Sequence, residues 1–169
     1  MWPKLFLLFA LLIGCTNKEP VEGVFSDCDP LDPAVCALPF PSAFYERTAD
    51  TPTGVQVQYG AESLPLNRDY VRLDPEAWNE RDGHSIGSPI LMYFEDVSTE
   101  GTFGHDNIGA YTAADARTVI VDMSTGERVP HWVEVDDTAP SPDQRLFILR
   151  PAQALQHGTR YIVGIRNLK

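Results

Sequence analysis

Apolar and polar residues alternate along much of this chain, and the pattern predicts short strands rather than helices. Residues 55–59 alternate strictly, which is typical of a half-buried strand. Apolar runs predict further strands at 90–94, 118–123, 129–135, 146–149 and 160–165. The turn residues at 124–127 predict that 118–123 and 129–135 pair as a hairpin. Short strands at this spacing, with no long helix between them, predict an all-β antiparallel β-sandwich.

Two segments before residue 90 depart from the strand pattern. Four prolines between residues 28 and 44 exclude a long helix there and predict an irregular arm. We expect Phe40, Phe44 and Tyr45 to pack this arm onto the domain. The Asp-Pro-Glu sequence at residues 74–76 is typical of a helix start, and it predicts one or two helical turns ending near residue 79.

The first 15 residues carry a separate signal. Lys4 precedes an apolar run at residues 5–13, and Leu-Ile-Gly-Cys follows at residues 12–15. The run is too short to cross a bilayer core, which needs roughly 20 residues as a helix, but it fits the apolar region of a cleaved signal. This segment resembles a bacterial lipoprotein signal peptide that ends in a lipobox. The resemblance implies cleavage before Cys15 and acylation of that cysteine.

Lipidation would place the protein at the bacterial envelope. The acyl chains on Cys15 would attach it to the membrane, which is its predicted partner. Thr16 and Asn17 follow, without the Asp that resembles an inner-membrane retention signal, so we expect the outer membrane. The alternatives are an ordinary secretory signal with a chance cysteine, or an uncleaved anchor. All three place the remainder outside the cytoplasm.

Cys28 and Cys36 are then the remaining cysteines, and an even pair in an exported protein predicts a disulfide. Closing so short a loop contributes about 2–3 kcal/mol in the chain-entropy picture. A metal site is the rival interpretation, but two cysteines without a nearby histidine make a poor zinc set.

The net charge of the chain excludes some classes of binding partner. The chain has 13 basic and 24 acidic residues and a formal net charge of −11, so its surface should repel nucleic acid. It offers no polybasic segment for anionic lipid. About 150 residues remain after the signal, enough for one domain with a core. No cofactor is predicted.

Two resemblances extend to the rest of the chain. Residues 149–161, with Pro151, Leu155, Gly158, Thr159 and Tyr161, resemble the end of bacterial immunoglobulin-like modules. Residues 38–42, 53–54, 82–85 and 89–90 are similar to the N-terminal domain of bacterial virulence-factor-type lipases. In that family a β-rich domain precedes an α/β-hydrolase domain. The similarity implies an immunoglobulin-like sandwich over about residues 28–169, without the hydrolase domain, so the family's activity is not carried over.

Residues 83–87, Gly-His-Ser-Ile-Gly, match the nucleophile elbow Gly-x-Ser-x-Gly, which makes Ser85 a candidate nucleophile. Asp122 and either His131 or His157 follow in the order of a triad. The elbow requires a strand before the serine and a helix after it, whereas polar residues precede Ser85 and Pro89 follows it. The favoured interpretation is a loop in which Ser85 binds local backbone groups.

Other polar clusters are weaker candidates. A loop at residues 105–107 (His-Asp-Asn) has too few ligands for Ca²⁺. Two acidic loops, one with Asp27, Asp29 and Asp32 and one with Asp136, Asp137 and Asp143, are interpreted as solvated. The four histidines are scattered, so no metal site is predicted. Trp78 and Trp132 are candidate ligand stackers, although core-edge positions are favoured.

These observations divide the chain into a signal peptide (1–14), the lipidated Cys15 and a tether (15–27), a disulfide loop with the proline-rich arm (28–53), and a sandwich domain (54–169). The predicted function is a non-catalytic, lipid-anchored binding or accessory module of the envelope, which would include the isolated N-terminal domain of a lipase-like hydrolase. The alternatives are a small serine esterase that uses Ser85 and a surface adhesion or structural protein. The pattern identifies no protein or glycan partner.

Overall fold

The computed structural model describes residues 27–33 and 35–169. The predicted signal peptide, Cys15 and the tether as far as residue 26 lie outside the described residues. Within the described part, no helix is long and apolar enough to cross a membrane. The described residues form an all-β fold with antiparallel pairing throughout.

Seven short strands and one short α-helix make up this fold. The strands are β1 (Glu46–Thr48), β2 (Val55–Val57), β3 (Ile90–Tyr93), β4 (Thr118–Asp122), β5 (His131–Val135), β6 (Leu146–Pro151) and β7 (Tyr161–Ile165). Helix α1 (Glu76–Asn79) confirms the predicted helical turn, and the Asp74 side chain accepts a hydrogen bond from the Glu76 amide (3.0 Å). The remaining helices are 3-10 segments, at Ala43–Tyr45, His105–Thr112 and Pro142–Gln144.

The strands form three sheets. A three-stranded sheet has the order β3-β6-β5, with Leu91 opposite Ile148 and Val133 opposite Leu149. A two-stranded sheet pairs β4 with β7 and sets Ile120 opposite Val163. The third sheet pairs β1 with β2 near the N-terminal arm.

The main hydrophobic core lies between the first two sheets. Its buried members come from strands of both sheets and from two connecting segments, which contribute Val97 and Val129: Ile90, Val97, Ile120, Val129, Val133, Phe147 and Leu149. Phe147, Leu149 and Ile120 are fully buried. Alternation places one face of each strand inward, so burying these side chains fixes the register of both sheets.

The predicted β4–β5 hairpin forms only at its turn. The Asp122 amide donates to the Glu127 carbonyl (2.9 Å) and the Val129 amide donates to the Ile120 carbonyl (2.8 Å). Pro130 follows and has no N–H to continue the ladder. Strand β5 then leaves β4 and pairs with β6 instead. The prediction that 129–135 pairs with 118–123 is therefore wrong beyond residue 129.

A second hydrophobic cluster joins the arm to the segment that follows it. Tyr45, Val57, Tyr59 and Leu64 are its buried members, and Leu73 packs against it. Strand β1 belongs to the segment predicted as irregular, and it pairs with β2 across a turn at Gly54. The predicted boundary between the proline-rich arm (28–53) and the sandwich domain (54–169) thus falls inside the β1-β2 hairpin.

The arm is attached to the larger sheet at the edge strand β3. Phe40 and Leu91 exchange two backbone hydrogen bonds, of 2.9 and 2.7 Å, and Phe40 thereby covers part of that edge. Cys28 and Cys36 lie at disulfide distance, as predicted, with their sulfur atoms 1.98 Å apart. Of the three aromatic residues expected to pack the arm, Tyr45 is fully buried while Phe44 is 47% exposed.

Candidate functional site

A groove of about 660 Å³ lies where the N-terminal hairpin meets the segment that leads into β7. Four parts of the chain line it: residues 41–46, residues 53–55, the loop 80–86 and residues 155–163, with Ile90 at its base. Residues separated by more than 100 positions thus contribute to one concave surface. We refer to this surface as the groove.

Hydrogen bonds attach the loop 80–86, and Asn79 just before it, to the chain on both sides. On one side, the Val57 amide donates to the Arg81 carbonyl (2.9 Å), and the Asn79 side chain pairs with the backbone of Tyr59 at 2.7 and 2.9 Å. On the other side, the Leu155 amide donates to the Ile86 carbonyl (2.9 Å). The groove is therefore built on fixed backbone rather than on free loops.

Glu46 is a largely buried charged residue of the groove, which Glu80, Arg81, Asp82 and Arg160 also line. Its side chain is 16% exposed, and its Oε2 accepts a hydrogen bond from Arg160 Nη2 at 3.1 Å. Its Oε1 lies 3.7 Å from His84 Nε2, which is beyond hydrogen-bond distance. The Glu46 carboxylate can accept hydrogen bonds from a polar ligand, and the Arg160 guanidinium can donate them.

His84 carries an unsatisfied polar atom in the groove wall. Its Nε2 is buried and has no hydrogen-bond partner among the described residues. The edge of the Phe40 ring packs near the imidazole, with ring centroids 5.5 Å apart. Burial lowers the pKa of His84, and the Glu46 carboxylate opposes that shift only in part. The lowered pKa favours the neutral imidazole.

Ser85 lines the same groove but is not held as a nucleophile. It lies in a loop with neither a strand directly before it nor a helix after it. Its Oγ accepts a hydrogen bond from the Gly87 amide (3.3 Å), and its carbonyl accepts one from the Ser88 amide. Within the described residues, no histidine or carboxylate forms a hydrogen bond to this hydroxyl, which is the contact that activates a serine.

The proposed partners of Ser85 lie in different environments. His131 is fully buried, and both of its ring nitrogens are engaged, Nε2 with Thr118 Oγ1 (3.0 Å) and Nδ1 with the Val129 carbonyl (2.9 Å). The Asp122 carboxylate accepts hydrogen bonds from Ser124 and Thr125 in the turn after β4. Only His157 shares the groove with Ser85.

The interpretation of the first acidic loop as solvated is wrong for Asp29, and Asp27 Oδ1 and Asp32 Oδ2 are buried without a hydrogen-bond partner among the described residues. Asp29 is buried and its carboxylate accepts from the Leu31 amide (2.9 Å) and the Ser42 hydroxyl (2.5 Å). Asp136 accepts from the Thr138 amide and hydroxyl, and Asp137 pairs with Arg145 at 3.4 Å.

Potential metal ligands are poorly placed. Over residues 27–33 and 35–169, the one trio of suitable side chains is Asp27 with Cys28 and Cys36, whose sulfur atoms are joined to each other. Asp27, Asp29 and Asp32 do not form such a trio, and neither do the acidic residues near residue 140. His105 and Asp106 are exposed in the 3-10 segment His105–Thr112.

The two candidate stacking residues lie apart from the groove. Trp78 is 39% exposed on α1. Trp132 is half-buried on β5 and donates from Nε1 to Glu134 Oε1 (3.1 Å).

Sequence reasoning identified Ser85 but missed the pair that dominates the groove. Glu46 and Arg160 are 114 positions apart, and neither occupies a fixed position of a motif. No family model, curated protein or solved structure matches this chain.

Proposed function

We propose that this chain is a lipid-anchored envelope protein whose β-rich domain lies outside the cytoplasm. The lipobox-like sequence that ends at Cys15 is the main support for the anchor. The Cys28–Cys36 pair at disulfide distance is the second, because disulfides persist in oxidising compartments. Thr16 and Asn17 after the cysteine favour the outer membrane.

For the domain we propose an immunoglobulin-like antiparallel β-sandwich. A shared core between the β3-β6-β5 sheet and the β4-β7 sheet supports this assignment. Strand β5 turns away from β4 and joins the opposite sheet, as strands at the corners of sandwiches do. The similarity of residues 149–161 to the end of such modules points in the same direction.

The proposed activity is non-catalytic binding in the groove, in an accessory role similar to that of the N-terminal domain of virulence-factor-type lipases. One observation carries this proposal. The groove gathers Glu46, Arg160 and His84 on fixed backbone, while the Ser85 hydroxyl is bonded to the Gly87 amide rather than to a base. Such a surface offers specific polar contacts without an activated nucleophile.

A small serine esterase is the second candidate, because Ser85 and His157 line the same groove. The test is hydrolysis of a short-chain nitrophenyl ester by the full chain and by Ser85→Ala, with Ser88→Ala as the matched control. We expect no difference among the three proteins. Turnover that disappears in Ser85→Ala and persists in Ser88→Ala would replace the binding proposal with the esterase.

The anchor is tested independently of the groove. We expect Cys15→Ser to move the protein from the membrane pellet to the soluble fraction of bacterial cells, because acyl chains supply the membrane affinity. Metabolic labelling with a radioactive fatty acid should mark the wild-type chain and not the variant. A variant that stays in the pellet after a carbonate wash would contradict lipid anchoring through this residue.

A further inference from the structure

Three arginines surround a second pocket, of about 280 Å³, on the β4-β7 sheet. Arg117 directly precedes β4, Arg166 directly follows β7, and Arg128 lies after the turn that ends β4. Their neighbours in the pocket are small or apolar: Ala114, Ala116, Val119, Gly164 and Ile165. We refer to it as the arginine pocket. It shares no lining residue with the groove.

The pairing of β4 with β7 brings these residues together. The Arg166 amide donates to the Arg117 carbonyl (2.9 Å), so the two residues are cross-strand neighbours at one end of the sheet. Arg128 forms a bridge to Val121, two positions beyond Val119 on the same strand. Residues 117, 119 and 121 share a strand face, because side chains alternate. The opposite face carries Thr118 and Ile120 into the core.

Backbone carbonyls hold all three guanidinium groups. Arg128 Nη1 donates to the carbonyls of Tyr111 (3.0 Å) and Ala113 (2.9 Å). Arg166 donates from Nε to the Ala116 carbonyl (3.1 Å) and from Nη2 to the Ala114 carbonyl (2.5 Å).

Arg117 is held in the same way. Its Nη1 donates to the Glu100 carbonyl (2.8 Å), and its guanidinium lies where a Cβ on Gly101 would be. The three cations are therefore positioned before any ligand arrives, which lowers the cost of binding.

Their charges are not neutralised by the protein. Across the described ranges, none of the three arginines forms an ion pair, and no carboxylate lines the pocket. Asp115 lies between Ala114 and Ala116 in sequence, yet it forms no ion pair with any of the three arginines. The nearby Glu100 carboxylate is engaged by Lys169 Nζ at 2.5 Å. The chain as a whole has a net charge of −11, so this pocket differs in charge from the molecule that carries it.

The guanidinium nitrogens that have no hydrogen-bond partner indicate the chemistry of the ligand. Within the described part of the chain, Nε and Nη2 of both Arg117 and Arg128, and Nη1 of Arg166, have no hydrogen-bond partner. Several N–H groups from separate guanidinium groups suit a compact anion with several acceptor oxygens and more than one negative charge. We propose that the arginine pocket binds a phosphoryl group, either of free phosphate and its small monoesters or of a lipid headgroup.

Inorganic phosphate is the first probe. Isothermal titration of the full chain at constant ionic strength should show saturable binding that Arg166→Gln weakens about tenfold or more, because a charge-assisted hydrogen bond is lost. Arg68→Gln removes the same charge from a loop outside the pocket and should leave the affinity nearly unchanged. Arg166→Lys keeps the charge and should give an intermediate loss, and it serves as the test variant if Arg166→Gln does not fold.

Vesicles separate the two sources. Binding to phosphatidylcholine vesicles is compared with binding to vesicles that also contain phosphatidic acid, so that any contribution from residues 1–15 is common to both. A gain on phosphatidic acid that Arg166→Gln abolishes, without binding of free phosphate, identifies a headgroup. Phosphate binding without that gain identifies a free phosphate or monoester. The proposal is overturned if neither phosphate binding nor the gain on phosphatidic acid is seen, or if Arg68→Gln reproduces the effects. The arginines would then only hold the 105–117 segment in place.

Discussion

Replacing His131 with alanine should lower the free energy of unfolding by about 3–5 kcal/mol, measured by urea denaturation at pH 7. The imidazole is fully buried and packs edge-on against Phe103, with ring centroids 5.0 Å apart. Its removal leaves a cavity and deprives the Val129 carbonyl of its side-chain donor and the Thr118 hydroxyl of its partner. The free energy of unfolding of a domain of this size is about 5–15 kcal/mol in total. The substitution would therefore remove much of the stability.

The same residue should give the fold a dependence on pH. The Val129 carbonyl can only accept, so Nδ1 carries the proton and Nε2 accepts from Thr118 in the neutral ring. Burial lowers the pKa of His131 below its ordinary 6.5. The unfolded chain therefore takes up a proton more readily, and stability should fall as the pH drops from about 6.5 toward the folded pKa.

Two comparisons make the His131 prediction decisive. His157→Ala removes an exposed histidine and should change stability by less than about 0.5 kcal/mol. In His131→Ala the slope of stability between pH 7 and pH 5 should decrease, with the remainder due to His84, whose pKa burial also lowers. A small loss in His131→Ala, with an unchanged slope, would show that the histidine is not part of the core.

The second large effect is expected at Tyr45, where alanine should cost about 3–5 kcal/mol. The ring is 1% exposed and lies against Tyr59, with centroids 4.8 Å apart. Its hydroxyl accepts hydrogen bonds from the amides of Asp29 (2.9 Å) and Ala37 (3.2 Å). One side chain thus joins the second hydrophobic cluster to the disulfide loop on both sides of Cys36.

Phenylalanine at position 45 separates these two contributions. Tyr45→Phe keeps the ring and leaves two amides without an acceptor, so we expect a loss of about 1–3 kcal/mol by urea denaturation. Tyr70→Phe removes the hydroxyl from a tyrosine that is 84% exposed and should be neutral. If Tyr45→Phe were as stable as the wild type, the hydrogen bonds of the Tyr45 hydroxyl would not stabilise the disulfide loop.

The local pattern predicted where strands occur, but not how all of them pair. Strands β3, β4 and β7 fall within predicted segments, and β6 begins as predicted but extends two residues beyond 149. The agreement arises because alternation and apolar runs are properties of neighbouring residues. Pairing depends on distant partners. Strand β5 was assigned to β4 by proximity in sequence, and Pro130 ended that ladder. Strand β1 was missed, since its three residues, Glu46–Thr48, are polar.

The groove shows the same limit. The Gly-x-Ser-x-Gly match located the loop 83–87, and the surrounding Asp-Gly and Ser-Pro residues correctly indicated a loop rather than an elbow. Nothing local connects Glu46 with Arg160, because their ion pair arises only when β7 is in place. The arginine pocket likewise depends on the β4-β7 pairing, which juxtaposes Arg117 and Arg166.

The distance in sequence between the two walls of the groove also determines when it can exist. A chain made from its N terminus contains Glu46 and His84 long before Arg160 emerges, and the β1-β2 hairpin can form without β7. Contacts between such distant positions form late and slow folding. Until then Glu46 lacks its cation and the Leu155 amide has not reached Ile86. Under the proposed binding role, a ligand that contacts both walls would bind only after β7 has joined the fold.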